Sequence, residues 1–160
     1  MANKKIKNTN KKQYNGIQFK SQLEVMVYKT LLQEGFAVIY EEKPYILWEG
    51  FKPTIPFYDQ NKHTKLLELK ANKIIDIKYT PDFTIYYKDK IIFIESKGKE
   101  NDVFYIKKKM FRYWLETKYK KKELKLFPMY FEIYTKKQLL QAINIIKCYD
   151  IYEDSDTISF

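Results

Sequence analysis

Four consecutive apolar residues, Ile91-Ile92-Phe93-Ile94, run straight into Glu95-Ser96-Lys97. This junction limits what the chain can fold into more than any other stretch. A continuous apolar run of this kind reads as a strand buried on both faces. A second run, Phe83 to Tyr87, is rich in β-branched and aromatic residues and is joined to it by Lys88-Asp89-Lys90. That is the pattern of an antiparallel hairpin with charges at its open end. Ionised groups at the end of a buried strand need a metal, a partner or water, because burial without compensation is very costly.

Loop length decides which charges meet. A two-residue loop at Asp89-Lys90 sets Thr84 opposite Glu95 and Asp82 opposite Lys97, and a four-residue loop sets Asp82 opposite Glu95. Opposed residues share a face with Cβ atoms roughly 4.5–5.5 Å apart, and a strand repeats every second residue, so either even loop places Asp82, Glu95 and Lys97 on one side. A three-residue loop separates Asp82 from Glu95. The even loop is preferred because it gives these charges a shared role.

Two carboxylates so placed form a hard-oxygen pocket suited to Mg²⁺ or Mn²⁺, with room for a backbone carbonyl, waters and a phosphate oxygen. Lys97 then stands beside the metal, where an ammonium orients the attacking water or steadies a phosphate. The plainer alternative makes Asp82 a strand-start residue after Pro81 and Glu95 with Lys97 a solvated pair.

Composition narrows the partner. The chain has 160 residues, enough for one domain with a core, and a net charge of +10 with a pI near 9.4 points to a polyanion, by default nucleic acid. No apolar run approaches the ~20 residues of a membrane span. The N-terminus lacks a secretory core, and the single cysteine, Cys148, excludes an internal disulfide. The expectation is a soluble cytoplasmic protein. His63 is the only histidine and reads as a loop residue, so a catalytic metal must be held by carboxylates.

In chain order, residues 1 to 20 carry six lysines and no acid, which predicts a disordered basic arm, its boundary set at residue 13. It serves as a solubilising tail or a DNA-backbone contact. Ser21 opens a helix to about Glu34, stopped by Gly35, with Glu24 in the capping-box position and Leu23, Met26, Val27 and Leu31 as its buried stripe. Glu41 to Trp48 marks a turn into a strand, and further strands follow from Phe51 to Tyr58 at an edge because of Pro53 and Pro56, from Leu66 to Leu69, and from Ile74 to Tyr79. After Gly98 the period becomes helical. Asp102 is the expected N-cap, and Val103, Ile106, Met110 and Trp114 the apolar face, widened by Phe104, Phe111 and Leu115. Nine basic residues between Lys107 and Lys125 face only Glu116 and Glu123, and of these Lys107, Lys108, Lys109 and Arg112, together with Lys99, are assigned to the DNA backbone. A last strand, Pro128 to Tyr134, and a helix capped by Thr135 with Leu139, Leu140, Ile143 and Ile146 inward close the domain near residue 148. An acidic tail occupies 149 to 160.

Pro81-Asp82, followed after twelve intervening residues by Glu95-Ser96-Lys97, resembles the PD-(D/E)XK nuclease superfamily. Gly-x-x-Phe-x-Ser-x-x-Glu at 16 to 24, Glu-x-x-Pro at 41 to 44, and Lys-Gly followed by Phe-x-x-Lys-x-Lys-x-Phe at 104 to 111 are similar to small phage-encoded nucleases of that superfamily. The layout is also similar to the end-cleaving endonuclease subunit of some transposons. The resemblance spans about residues 14 to 147. It implies an α/β restriction-endonuclease-like core of order α-β-β-β-α-β, with a central mixed sheet flanked by helices. It implies a Mg²⁺- or Mn²⁺-dependent endodeoxyribonuclease of phage or mobile-element DNA processing or recombination, with structure-specific cleavage in the manner of a junction resolvase left open. The implied ligands are Asp82, Glu95 and the Ser96 carbonyl, with Lys97 and Glu24 completing the catalytic set. DNA is the expected partner, a membrane is not, and a homodimer stays open. The helix after Lys97 lacks the Gln-x-x-x-Tyr element of RecB-like exonucleases. The competing reading is a non-catalytic DNA-binding module that keeps the fold.

Overall fold

The computed structural model describes residues 12–98 and 101–149. The described residues open with a hairpin, β1 (Lys12–Tyr14) against β2 (Ile17–Phe19), turning at Asn15-Gly16 with φ of 49° and 76°. An Asn-Gly pair with both φ positive matches the twist of a two-residue hairpin. Lys12 and Gln13, assigned to the disordered arm, thus lie in a strand, and Tyr14 and Ile17 beside them pack against the core. Residues 1 to 11 lie outside the described residues.

Helix α1 (Gln22–Gln33) starts where the caps predict. The Ser21 hydroxyl accepts from the Glu24 N–H, and Gly35 takes a φ of 86° after the last turn. Its buried face is rotated from the expected stripe: Val25, Tyr28 and Thr30 are buried with Val27 and Leu31, while Leu23 and Met26 lie partly exposed. Strand β3 (Val38–Tyr40) follows, then β4 (Tyr45–Trp48), β5 (Tyr58–Gln60), β6 (Leu67–Leu69) and β7 (Ile77–Tyr79). Instead of a strand from Phe51 to Tyr58, only an isolated bridge from Phe51 to Ile74 forms, since Pro53 and Pro56 cannot donate to a ladder. β4 pairs with β7 and β5 with β6, both antiparallel, in a two-limbed ribbon, where Gly50 crosses the other limb so closely that a Cβ there would lie 2.2 Å from the Ile74 carbonyl oxygen.

The central hairpin is β8 (Phe83–Tyr87) and β9 (Lys90–Ser96), with Tyr87 opposite Lys90 and Phe83 opposite Ile94. Its turn is the two-residue Lys88-Asp89, with Lys88 at a φ of 53°. One step further along this register sets Asp82 opposite Glu95, the pairing expected of the four-residue loop but reached with a shorter turn one position earlier. Helix α2 (Asp102–Lys120), β10 (Phe127–Ile133) and α3 (Lys136–Cys148) complete the chain. A capping box of Thr135 and Gln138 starts α3. Asn101, not Asp102, caps α2, its side chain accepting from the Phe104 N–H at 2.8 Å. Tyr149, assigned to the acidic tail, stacks on Phe127, and residues 150–160 lie outside the described residues.

The result is a mixed α/β fold. One four-stranded sheet runs β10-β9-β8-β3, parallel between β10 and β9 and antiparallel elsewhere. Parity sorts its side chains. Phe83, Ile85, Ile92 and Ile94 pack with α1 and α3, while Ile91 and Phe93 pack with Phe104, Phe111 and Leu115 of α2 and with Tyr45 and Tyr79. On α2 the buried line is therefore Phe104, Phe111 and Leu115. Val103 and Ile106, assigned to the apolar face, are 48% and 58% exposed, because the helix meets the sheet with its aromatic edge. In α3, Leu140 is exposed and Ala142 takes its place. No helix among the described residues is long and apolar enough to cross a membrane.

Candidate active site

Sheet parity carries the charges to one place. Glu95 continues the face of Ile91 and Phe93, and Asp82 continues that of Thr84, so both carboxylates emerge at the same end of the hairpin. The backbone of Asp82 is fixed from β3, its carbonyl accepting from the Glu41 N–H at 2.8 Å. That of Lys97 is fixed from β10 by a 2.9 Å bond to the Ile133 carbonyl. Glu24 arrives from the first turn of α1. All four residues line one cavity of about 710 Å³, with Ser96 on its wall and Glu41 and Pro44 at its rim. Lys20, Lys43, Lys78 and Lys107 also border it, so the acids sit within a collar of ammonium groups.

Each acid has a distinct set of partners. Asp82, 8% exposed, accepts from both the main-chain N–H and the hydroxyl of Ser96 at 2.8 Å, both on Oδ2. Glu95, 3% exposed, accepts from the Tyr79 hydroxyl on Oε2 at 2.7 Å and pairs through Oε1 with the Lys97 ammonium at 2.8 Å. Lys97 also lies 4.3 Å over the Phe104 ring. Glu24, 5% exposed, accepts from the Lys20 N–H and the Tyr40 hydroxyl on Oε2, and from the Ser21 hydroxyl on Oε1. It is both a capping residue and a wall of the cavity. The reciprocal bond comes from Lys20 rather than from the cap itself.

Burial, then the charge of Glu95 and more weakly that of Glu24, pushes the Asp82 carboxyl up to about 7, against the opposing pull of the Ser96 hydrogen bonds. Burial first, then Glu95, raises the Tyr79 phenol, and burial first, then Glu24, raises that of Tyr40. Both phenols therefore stay protonated and serve as donors to the acids. Lys20 forms an ion pair with Glu41 at the cavity edge.

The four expected catalytic residues are thus brought together. Sequence reasoning missed Tyr40 and Tyr79, which hold two of the acids. They come from strand ends distant along the chain, and no local pattern marks them. The assigned DNA contacts divide. Lys107 lines the cavity. Lys108 turns inward to Glu132 at 3.0 Å, and Lys109 and Arg112 lie on the outer face of α2, Lys109 4.3 Å from the Tyr105 ring. Lys99 lies outside the described residues. Among the described residues, no three His, Cys, Asp or Glu side chains gather closely enough to enclose a metal by themselves. No known family profile, curated protein or solved structure matches the chain.

Proposed function

We propose that this chain is a Mg²⁺- or Mn²⁺-dependent endodeoxyribonuclease of the PD-(D/E)XK kind, acting in phage or mobile-element DNA processing or recombination. The observation that carries this reading is the meeting of Glu24, Asp82, Glu95 and Lys97 at one lysine-rimmed cavity. The element order supports it, since the four strands of the sheet and the helices set among them follow as α1-β3-β8-β9-α2-β10, with α3 packed on the sheet after them.

The donor set fits a hard cation. Burial first, and then repulsion from Glu95, favours a proton on Asp82, and a divalent ion offsets both while needing only two carboxylates beside a carbonyl and waters. Asp82, Glu95 and the Ser96 carbonyl are the groups that would hold it. Such an ion lowers the pKa of bound water and offsets charge on a phosphate. The chain's own residues do the rest. Ser96 fixes Asp82, Tyr79 fixes one oxygen of Glu95, and Lys97, held by the other, presents its ammonium to the scissile phosphate. Glu24 closes the far wall.

A panel of linear, nicked, flapped and four-way DNAs with Mg²⁺ or Mn²⁺ tests the reading. Wild type should cut at least one of them. Asp82→Asn or Glu95→Gln should lose more than about 100-fold in rate while still binding DNA, because each amide keeps the shape and removes the charge that holds the cation. Lys97→Ala should lose most activity as well. Binding without cutting on every DNA would make the chain a DNA-binding module, and undiminished cutting by Asp82→Asn would place the site elsewhere.

A further inference from the structure

The solvent face of α2 carries a pattern that the carboxylate cavity does not use. Tyr105, Lys109, Arg112, Tyr113 and Tyr119 are all exposed, and their spacings of four, seven, eight and fourteen residues from Tyr105 keep them on one side of the helix. Tyr113 is 74% exposed. Arg112 is the only arginine in the chain, against 29 lysines (30 Lys+Arg less one). This face leads to a second cavity of about 410 Å³ between α2 and β10, walled by Lys109, Arg112, Tyr113, Tyr119, Phe127 and Tyr130. Glu116 also lines it, but its carboxylate is tied to Lys120 at 3.3 Å.

Cations alternating with exposed aromatic rings suit single-stranded nucleic acid. The bases of a duplex are already stacked and hide their faces, whereas an unpaired strand offers both a phosphate for each cation and a π-face for each ring. Arginine adds a planar fork that grips a phosphate with two hydrogen bonds and can also stack. The two cavities are neighbours. Tyr130, on the wall of the second, places its hydroxyl 3.3 Å from that of Tyr79, which holds Glu95. From Arg112 to Phe104, on the wall of the first, α2 rises by ~12 Å, the length of three or four stacked nucleotides at ~3.4 Å each.

We infer that the outer face of α2 and the cavity beneath it bind an unpaired DNA strand. If the proposed nuclease reading holds, the substrate is DNA with a single-stranded segment leading to the scissile phosphate. Lys109 and Arg112 take phosphates, Tyr105 and Tyr113 stack bases, and the cavity holds one base out of the stack.

The test is binding of the full chain, in EDTA so that nothing is cut, to a fluorescent single-stranded oligonucleotide, an abasic strand of the same length, and a blunt duplex. Tyr113→Ala and Arg112→Ala should each weaken binding to the single strand by about tenfold. The blunt duplex should change less than about threefold, and Tyr113→Phe should restore wild-type affinity. The abasic strand should bind wild type at least as weakly as the intact strand binds Tyr113→Ala, since it gives up every base contact at once. Equal losses on single strand and duplex, no loss on either, or full-strength binding of the abasic strand would each overturn the inference. Because no cleavage is read, the two ideas fail separately. These affinities in a chain that cuts no DNA refute the nuclease and keep the strand track, and cutting by a chain whose Tyr113→Ala variant binds both DNAs normally does the reverse.

Discussion

The β8–β9 hairpin and the ribbon built from β4 to β7 are both antiparallel, and both are rich in aromatic and branched residues, yet they differ in burial. Every residue of β9 is buried. Between Tyr45 and Tyr79 no residue is, and Ile55, Leu67 and Ile75 each stand more than three-quarters exposed. The same local composition therefore specifies strand in both places, while α1, α2 and α3 cover the hairpin on both faces and α2 touches the ribbon only at its base, at Tyr45 and Tyr79. The difference teaches where charge carries meaning. Lys70 beside Glu68 on the ribbon is a solvated pair of small energetic consequence. Glu95 beside Lys97 ends a dry strand, where an ionised group persists only with donors arranged around it.

Truncating one ring in each region should break or sharpen that contrast most sharply. Phe93→Ala should cost ~3–5 kcal/mol in urea unfolding, since its ring is fully buried between Tyr45 and Phe111. Phe57→Ala, 60% exposed on the ribbon, should stay within ~0.5 kcal/mol. Similar costs at the two positions would mean the ribbon is covered in solution.

A smaller effect comes from pH. The Asp82 carboxyl, raised to about 7 in the folded chain against ~3.9 when unfolded, keeps its proton longer when folded. Between about pH 4 and pH 7 the folded chain therefore binds more protons than the unfolded one, and metal-free stability falls as pH rises through that window. Asp82→Asn removes this contribution, so its melting temperature relative to wild type should climb from pH 4 to pH 7. A gap that stays constant with pH would show that neither burial nor the charge of Glu95 destabilises the ionised Asp82.

The smallest expected change separates two buried tyrosines of one cluster. Tyr79→Phe keeps the ring contact with Phe111 at 4.7 Å but removes the donor to Glu95, and should weaken Mn²⁺ binding by about tenfold. The Tyr45 hydroxyl is buried without a hydrogen-bond partner, so Tyr45→Phe should leave Mn²⁺ affinity unchanged and stability equal or slightly higher. Titrations followed by calorimetry would compare them. Equal behaviour would deny Tyr79 a positioning role.

What the sequence made legible follows from how local each signal is. The site hairpin could be read because strand period and charge placement coincide in one stretch, and α1 because Ser21, Glu24 and Gly35 mark its ends. Strand β3 was not, since Val38–Tyr40 is three residues long and pairs with β8, more than forty positions away. The face of α2 was misread because that helix is apolar on several sides, and only the sheet decides that Phe104, Phe111 and Leu115 turn inward. The Asn15-Gly16 hairpin was legible but lost among the lysines. The tyrosines that hold Glu24 and Glu95 are brought there by tertiary contact alone.

The central claim is that Asp82 and Glu95 repel each other in the folded chain until a divalent cation joins them. Melting wild type and Asp82→Asn at pH 7 with and without Mn²⁺ tests it most directly. Without metal, Asp82→Asn should melt above wild type. With Mn²⁺ at 100 times its dissociation constant, wild type should rise by about 5–10 °C and the variant should not move. A wild type indifferent to Mn²⁺, or an equal rise in Asp82→Asn, would contradict the account.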